Sequence, residues 1–319
     1  MSTFKALWAG FKSIRLPLLA FLASCCLFFV ILFPLNDLGE LVTSKIYTAT
    51  NRNLFFQFDD LNLSLFPPGL QMNQVYIETS QLSPLKASEL TLRPSISGLI
   101  NGKPFGFVDA KGFLKGDVTL NVHSGAASEK GIERAQLELS AEKVSLRELR
   151  NFLGLPFMIQ GDLKVQSNVL ADLTLQEQPE ADLNVLVSKF ELPPFTMEIP
   201  GMGPLTLPDL KLKQIEIRTR LVNGALVIEK GEIGKLGDEL FATIKGQIQM
   251  TLQRMPSGQT LPIFGGYSLD VEMKAQKSFQ DKANLFLAFI QQTQKAPGHY
   301  HFKVSSPAWG PPARFDKMQ

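Results

Sequence analysis

The chain carries almost no cysteine and almost no histidine. Cys25 and Cys26 are its only cysteines and sit side by side in an uncharged run, which leaves nothing for a disulfide framework or a thiolate metal site. The three histidines are His123, His299 and His301. The last two are two residues apart and would share one strand face, where an ordinary surface pair outweighs a metal pair. No GxSxG, Walker A, HExxH or EF-hand sequence occurs. The chain therefore offers no catalytic, metal or cofactor constellation, and a non-enzymatic role with no cofactor is expected.

A basic surface is missing as well. The net charge is +2, but residues 1–15 contain Lys5, Lys12 and Arg15 and no acid. The 32 Lys and Arg less those three leave 29 to face 30 Asp and Glu in the rest of the chain. A body so nearly neutral has no footprint for nucleic acid. Long polar tracts are absent too, and 45% of residues are hydrophobic, which argues against disorder and for a sizeable core.

Other features are ordinary on inspection. Gly98, Gly102 and Gly106 have the spacing of a helix-pairing motif, but Asn101, Lys103 and Pro104 interrupt it, so a turn region is expected. Gly231, Gly234 and Gly237 follow a strand-like run without the order or helix of a dinucleotide site. Asp59 and Asp60 would point to opposite faces of a strand and make poor acid/base partners.

What the chain does have begins with an apolar run. Leu16 to Leu35 is twenty residues without a charge. At 1.5 Å per residue that covers about 30 Å, the thickness of a bilayer's hydrocarbon. The span, taken as 16–36, is formed chiefly by Leu16, Leu18, Leu19, Phe21, Leu22 and Leu27. Phe28, Phe29, Val30, Ile31, Leu32 and Phe33 complete it. Lys5, Lys12 and Arg15 precede it, while Asp37 and Glu40 follow, so positive-inside logic puts residues 1–15 in the cytoplasm. Leu22-Ala23-Ser24-Cys25 also looks like a lipobox, with Cys25 as the lipidated residue. The apolar run continues ten residues past Cys25, which favours an uncleaved anchor over a lipoprotein or a cleaved signal.

Residues 37–52 keep a helical spacing through Leu38, Leu41, Val42 and Ile46 and read as a helical connector. From residue 53 to 319 the period changes to two. Leu61, Leu63 and Leu65 alternate with Asn62 and Ser64, and Val118 to Val122, Leu183 to Val187 and Leu210 to Thr219 repeat the pattern. Gly, Pro and Asn clusters separate the runs, as in a meandering antiparallel sheet with one dry and one wet face. Two helices are expected to break it. One spans about 146–153, opened by the capping box Ser145 to Glu148 and closed by Gly154; the other is Asp281 to Gln294. The fold class is thus mainly β: an N-terminal transmembrane helix, then a large antiparallel groove or incomplete barrel with two short helices.

Phenylalanine is the remaining peculiarity, with 24 residues against 4 Tyr and 2 Trp. A side chain without a polar handle suits a sandwich core or an open groove for acyl chains. Phe56, Phe58, Leu61, Leu63 and Leu65 are the candidate groove residues.

The order of these features resembles a known family. The anchor is followed by the strand-like FDDLNLSLFPPGLQMNQVYI, by SELTLRPSISGLINGKP and by Gly112 to Val118. Gly161-Asp162-Leu163, Leu226 to Glu229 and Gly231-Glu232-Ile233 come next, before a helix, a strand from His299 to Val304 and the prolines 307, 311 and 312. Over essentially its whole length the chain resembles the type II secretion system protein N family, GspN, in its AsmA-like form. The resemblance rests on strand patterns and turn residues, not on a chemical site. It implies an inner-membrane protein with a periplasmic β-rich groove, working with other type II secretion components in assembly or scaffolding. AsmA-like relatives imply an alternative, the binding or transfer of lipid acyl chains. The family supplies no catalytic residues.

Overall fold

Alternating side chains form strands only where neighbours complete their hydrogen bonds, and here nearly every strand finds its neighbour in the next one along the chain. The structure is a computed structural model. It describes residues 21, 24, 28, 39, 40, 43–45, 47, 48, 50 and 53–318, apart from 66, 80–82, 200–202, 255–259 and 311–313. Among the described residues sixteen strands make one antiparallel sheet. β1 (Leu54–Gln57) and β2 (Asp60–Leu65) both pair with the same side of β3 (Pro68–Thr79), as one edge strand broken at Phe58 and Asp59. The meander continues through β4 (Leu85–Pro94), β5 (Gly106–Phe113), β6 (Gly116–Ser124) and β7 (Ala135–Ser145) to β8 (Gln160–Ala171) and β9 (Glu180–Leu192).

A separate hairpin, β10 (Phe195–Ile199) and β11 (Gly203–Leu207), interrupts it. The sheet resumes with β12 (Leu210–Val222), β13 (Ala225–Ile233), β14 (Leu240–Arg254) and β15 (Thr260–Ala275). β17 (His299–Ala308) pairs with β15, and its far side carries β16 (Gln294–Ala296) and β18 (Arg314–Lys317). The two broken edge strands do not pair with each other among the described residues, so the sheet is not closed into a barrel.

The helices sit at strand ends. α1 (Ile96–Asn101) joins β4 to β5, α2 (Leu146–Leu153) joins β7 to β8, and α3 (Lys277–Lys282) with α4 (Asn284–Phe289) and a 3-10 turn (Gln291–Thr293) lies after β15. Two expectations are corrected here. The region around Gly98 is a helix, not a plain turn: Ser95 Oγ accepts the Gly98 N–H and Gly102 closes the helix with φ 63°. Gly98 itself lets the chain return closely, since a Cβ there would stand 2.8 Å from Lys103 O. The expected helix over 281–294 is two short ones, meeting at Ala283. α2 forms where expected and ends on Gly154 with φ 63°, but Ser145 makes no side-chain cap bond. Glu148, the other half of the expected box, pairs instead with Lys115 at 2.7 Å.

Within the predicted connector Gly39, Glu40, Thr43, Ser44, Lys45, Tyr47 and Thr48 are helical. Of the predicted anchor only Phe21, Ser24 and Phe28 are described, and all three are helical and exposed. The rest of 16–36, with Lys5, Lys12 and Arg15, lies outside the described residues. Among the described residues no helix is long and apolar enough to cross a membrane.

Candidate functional site

Residues directly opposite each other in an antiparallel ladder share a face, so the register lists each face across the sheet. One row starts with Leu63, Leu70, Leu92 and Val108 on β2 to β5. It runs on through Leu120, Leu139, Ser167 and Leu183 on β6 to β9. Thr219, Ile228, Gly246, Leu269 and Val304 complete it on β12 to β15 and β17. The row beside it has Leu61, Met72, Leu90 and Ala110, then Val118, Ala141, Val165 and Val185. Ile217, Gly231, Ile244, Val271 and Phe302 follow. No charged side chain enters either row from β2 to β17. Gly246 is required by close approach: with φ 142°, a Cβ would lie 2.2 Å from Ser268 O.

Burial along these rows is uneven. At one end Phe56, Leu61, Met72, Val75 and Ala87 form a closed core, with Val75 only 1% exposed. At the other end Ala275, Phe279, Ala283, Leu287, Tyr300 and Phe302 form a second. Between them Val118, Leu120, Leu139, Val165, Leu183 and Val185 are half-buried and belong to neither core. Thr219 is the buried polar member of the first row, and its Oγ1 has no hydrogen-bond partner among the described residues.

The opposite face is ionic. Glu216, 7% exposed, accepts from Lys230 Nζ at 2.8 Å and pairs with Arg218 at 2.7 Å. The Lys230 hydrogen bond is the main reason its carboxyl is held below the ordinary glutamate range. Arg220 Nε pairs with Asp182 at 2.9 Å, Lys164 with Glu142 at 2.7 Å and Lys111 with Glu89 at 3.0 Å. A shallow hollow of about 670 Å3 lies over this face, lined by Asn121, Glu138, Gln166, Asn184, Arg218 and Arg220. Around it Arg218 pairs with Glu216 and Arg220 with Asp182 and Glu229, while Glu138 accepts from the side-chain amides of Asn121 and Gln136.

His299 and His301 each contact a carboxylate across the sheet. His299 Nε2 lies 2.8 Å from Glu272 Oε1, and His301 Nε2 lies 2.8 Å from Asp270 Oδ1, both across from β17 to β15. No group of three or more His, Cys, Asp or Glu side chains among the described residues could hold a metal ion.

The five groove candidates separate in space. Phe56 and Leu61 lie inside the first core and Phe58 packs against it. Leu63 is 40% exposed and begins the first apolar row. Leu65 ends β2, and its side chain lies outside the described residues. The half-buried central residues, on β6 to β9, were visible in the sequence as alternating runs. The register that aligns them into rows was not. Comparison of the chain with protein-family models, with curated proteins and with solved structures gives no match.

Proposed function

We propose that the chain is a non-enzymatic lipid-handling protein that takes acyl chains along the apolar face of its sheet. The central stretch of half-buried side chains between the two cores is the observation that supports this best. In a closed sandwich core these positions would be fully buried. On a plain solvent face they would be polar, as the opposite face is. An acyl chain laid across Leu120, Leu139 and Leu183 removes remaining apolar surface from water, at about 0.8 kcal/mol per buried methylene. A groove or incomplete barrel, open between its two edges, is the form of the fold that fits this role. The setting we propose is the bacterial inner membrane, with 16–36 as a single uncleaved span, residues 1–15 cytoplasmic and the sheet periplasmic.

A second reading is assembly or scaffolding within a type II secretion system. Beyond the resemblance, it is favoured by the two broken edge strands, which leave backbone groups for pairing with another chain. Both readings are tested on full-length protein purified from its native membrane in mild detergent. Lipid handling predicts phospholipid that stays bound through gel filtration, detected by mass spectrometry of the extract. A lipid content no higher than that of an unrelated single-span protein, with secretion components co-purifying instead, would reject it in favour of the second.

A further inference from the structure

A smaller cavity, of about 260 Å3, lies where the sheet meets α3 and α4. Leu192, Leu210, Leu240 and Met273 contribute from the strands, Phe279 and Leu287 from the helices, and every side chain on its wall is apolar. Met273 makes the connection with the sheet face. It stands opposite Ala242 and Tyr300, two residues from Val271 of the second apolar row. The cavity is therefore the end of that face and not an isolated void.

Neither α3 nor α4 has a side-chain cap at its start. Phe279, Ala283 and Leu287 point into the core while Leu285 and Phe289 are exposed. At the rim, Lys282 Nζ reaches Asp209 Oδ2 at 3.1 Å and Glu239 Oε2 at 2.8 Å, tying α3 to the turns before β12 and β14. Its apolar side chains offer water few partners, and although the hollow is partly open to solvent, hydrocarbon fits its lining better than water does. The ligand chemistry that fits is hydrocarbon: one chain segment, too large for a void to ignore and too small a space for both chains of a phospholipid.

We infer that this cavity receives the methyl end of a single acyl chain lying along the sheet face. This rests on the lipid-handling reading above and adds a fixed end point to it, so that the distance from the cavity sets a preference for chain length. The Lys282 ion pairs hold the helices closed over the chain end.

The test loads the full-length protein from vesicles of phosphatidylcholine whose palmitoyl chain carries a diazirine at its last carbon. A parallel sample uses the same lipid with the diazirine beside the ester. After irradiation, labelled peptides are mapped by mass spectrometry. The terminal probe is expected on the segments holding Met273 and Phe286, and the ester-side probe on β6 to β9. Filling the cavity with Leu240→Trp should cut terminal labelling of those segments by roughly tenfold while central labelling persists. Ile290→Phe is the second filling variant, used if melting shows that Leu240→Trp does not fold. Equal labelling of the cavity by both probes, or terminal labelling confined to β6 to β9, overturns the inference and leaves lipid handling standing. Absence of labelling from both regions overturns both.

Discussion

A charge on the apolar face distinguishes an open face from a closed core. Leu139 stands at the centre of the first row, opposite Leu120 and Ser167, and is half-buried. Full burial of a leucine is worth about 1.5–3 kcal/mol, and the partly buried Leu139 already holds most of that, roughly 1–2.5 kcal/mol. In Leu139→Glu the carboxylate can still reach water, and only that part is lost. For a domain of this size about 2–4 °C of melting temperature goes with each kcal/mol, so the fall should be about 2–10 °C. Val75 is 1% exposed within the first core. Val75→Glu buries an unpaired carboxylate and should cost at least about 3–5 kcal/mol, enough to lower melting by 10 °C or more or to prevent folding. The assay is paired: thermal melting by circular dichroism and bound phospholipid by mass spectrometry, on the full-length protein in detergent. Leu139→Glu should lose its lipid with the smaller fall in melting, and Leu139→Met should keep both. Equal collapse of Leu139→Glu and Val75→Glu, with a lipid-free wild type, would mean that the central face is packed core and that the reasoning fails.

Three further outcomes follow from particular contacts. The buried Thr219 hydroxyl has no partner among the described residues, so Thr219→Val should raise stability by about 1 kcal/mol; a lower melting temperature would reveal a bond that the hydroxyl makes. The Gln178 side chain bridges to the Leu252 backbone, accepting from N–H at 2.8 Å and donating to C=O at 3.1 Å, where β14 runs on past the end of β13. Gln178→Ala should cost about 1–2 kcal/mol and speed amide exchange at Leu252 first; unchanged exchange there would contradict this. Glu216, held chiefly by Lys230, and Glu272, held chiefly by His299, both have depressed carboxyl pKa values. A depressed folded value gives stability that is present above the unfolded glutamate value of about 4.3 and lost as pH falls through the folded one. Melting temperature should therefore drop as pH is lowered below about 5, and Glu216→Gln should shrink that drop; an identical acid profile in the variant would show that Glu216 does not contribute.

The strand content was legible because period two is a local property: Val118 to Val122 and Leu183 to Val187 lie inside β6 and β9 as the alternation required. The antiparallel meander followed from turn residues between short runs. What a strand's neighbours contribute was not legible. Leu61 and Leu63 share a face in the sequence, yet one is 5% exposed and the other 40%, because Leu61 packs into the first core while Leu63 lies farther along an edge strand. The connector adds to this inequality, since Gly39 backs onto the Phe58 ring, 3.2 Å from where a Cβ would be. α1 was hidden because a glycine in its middle reads locally as a break, and its reason, the return of Lys103 and Phe105 against Gly98, is tertiary. The Ser145 capping box failed for a similar reason: Lys115, thirty-odd residues upstream, takes Glu148. The central apolar rows depend on a register across many strands, which no single run encodes.

On the proposed function, acyl chains lie on one face of the sheet and not on the other. Leu183 and Asp182 are adjacent on β9 and face opposite ways, Leu183 in the apolar row beside Ser167 and Thr219 and Asp182 paired with Arg220. Placing the photoreactive residue benzoylphenylalanine at each position in turn, in cells, and analysing the adducts by mass spectrometry tests the claim directly. Phospholipid adducts are expected at position 183 and none at 182. Adducts at both positions alike, or protein adducts alone at 183, would contradict it.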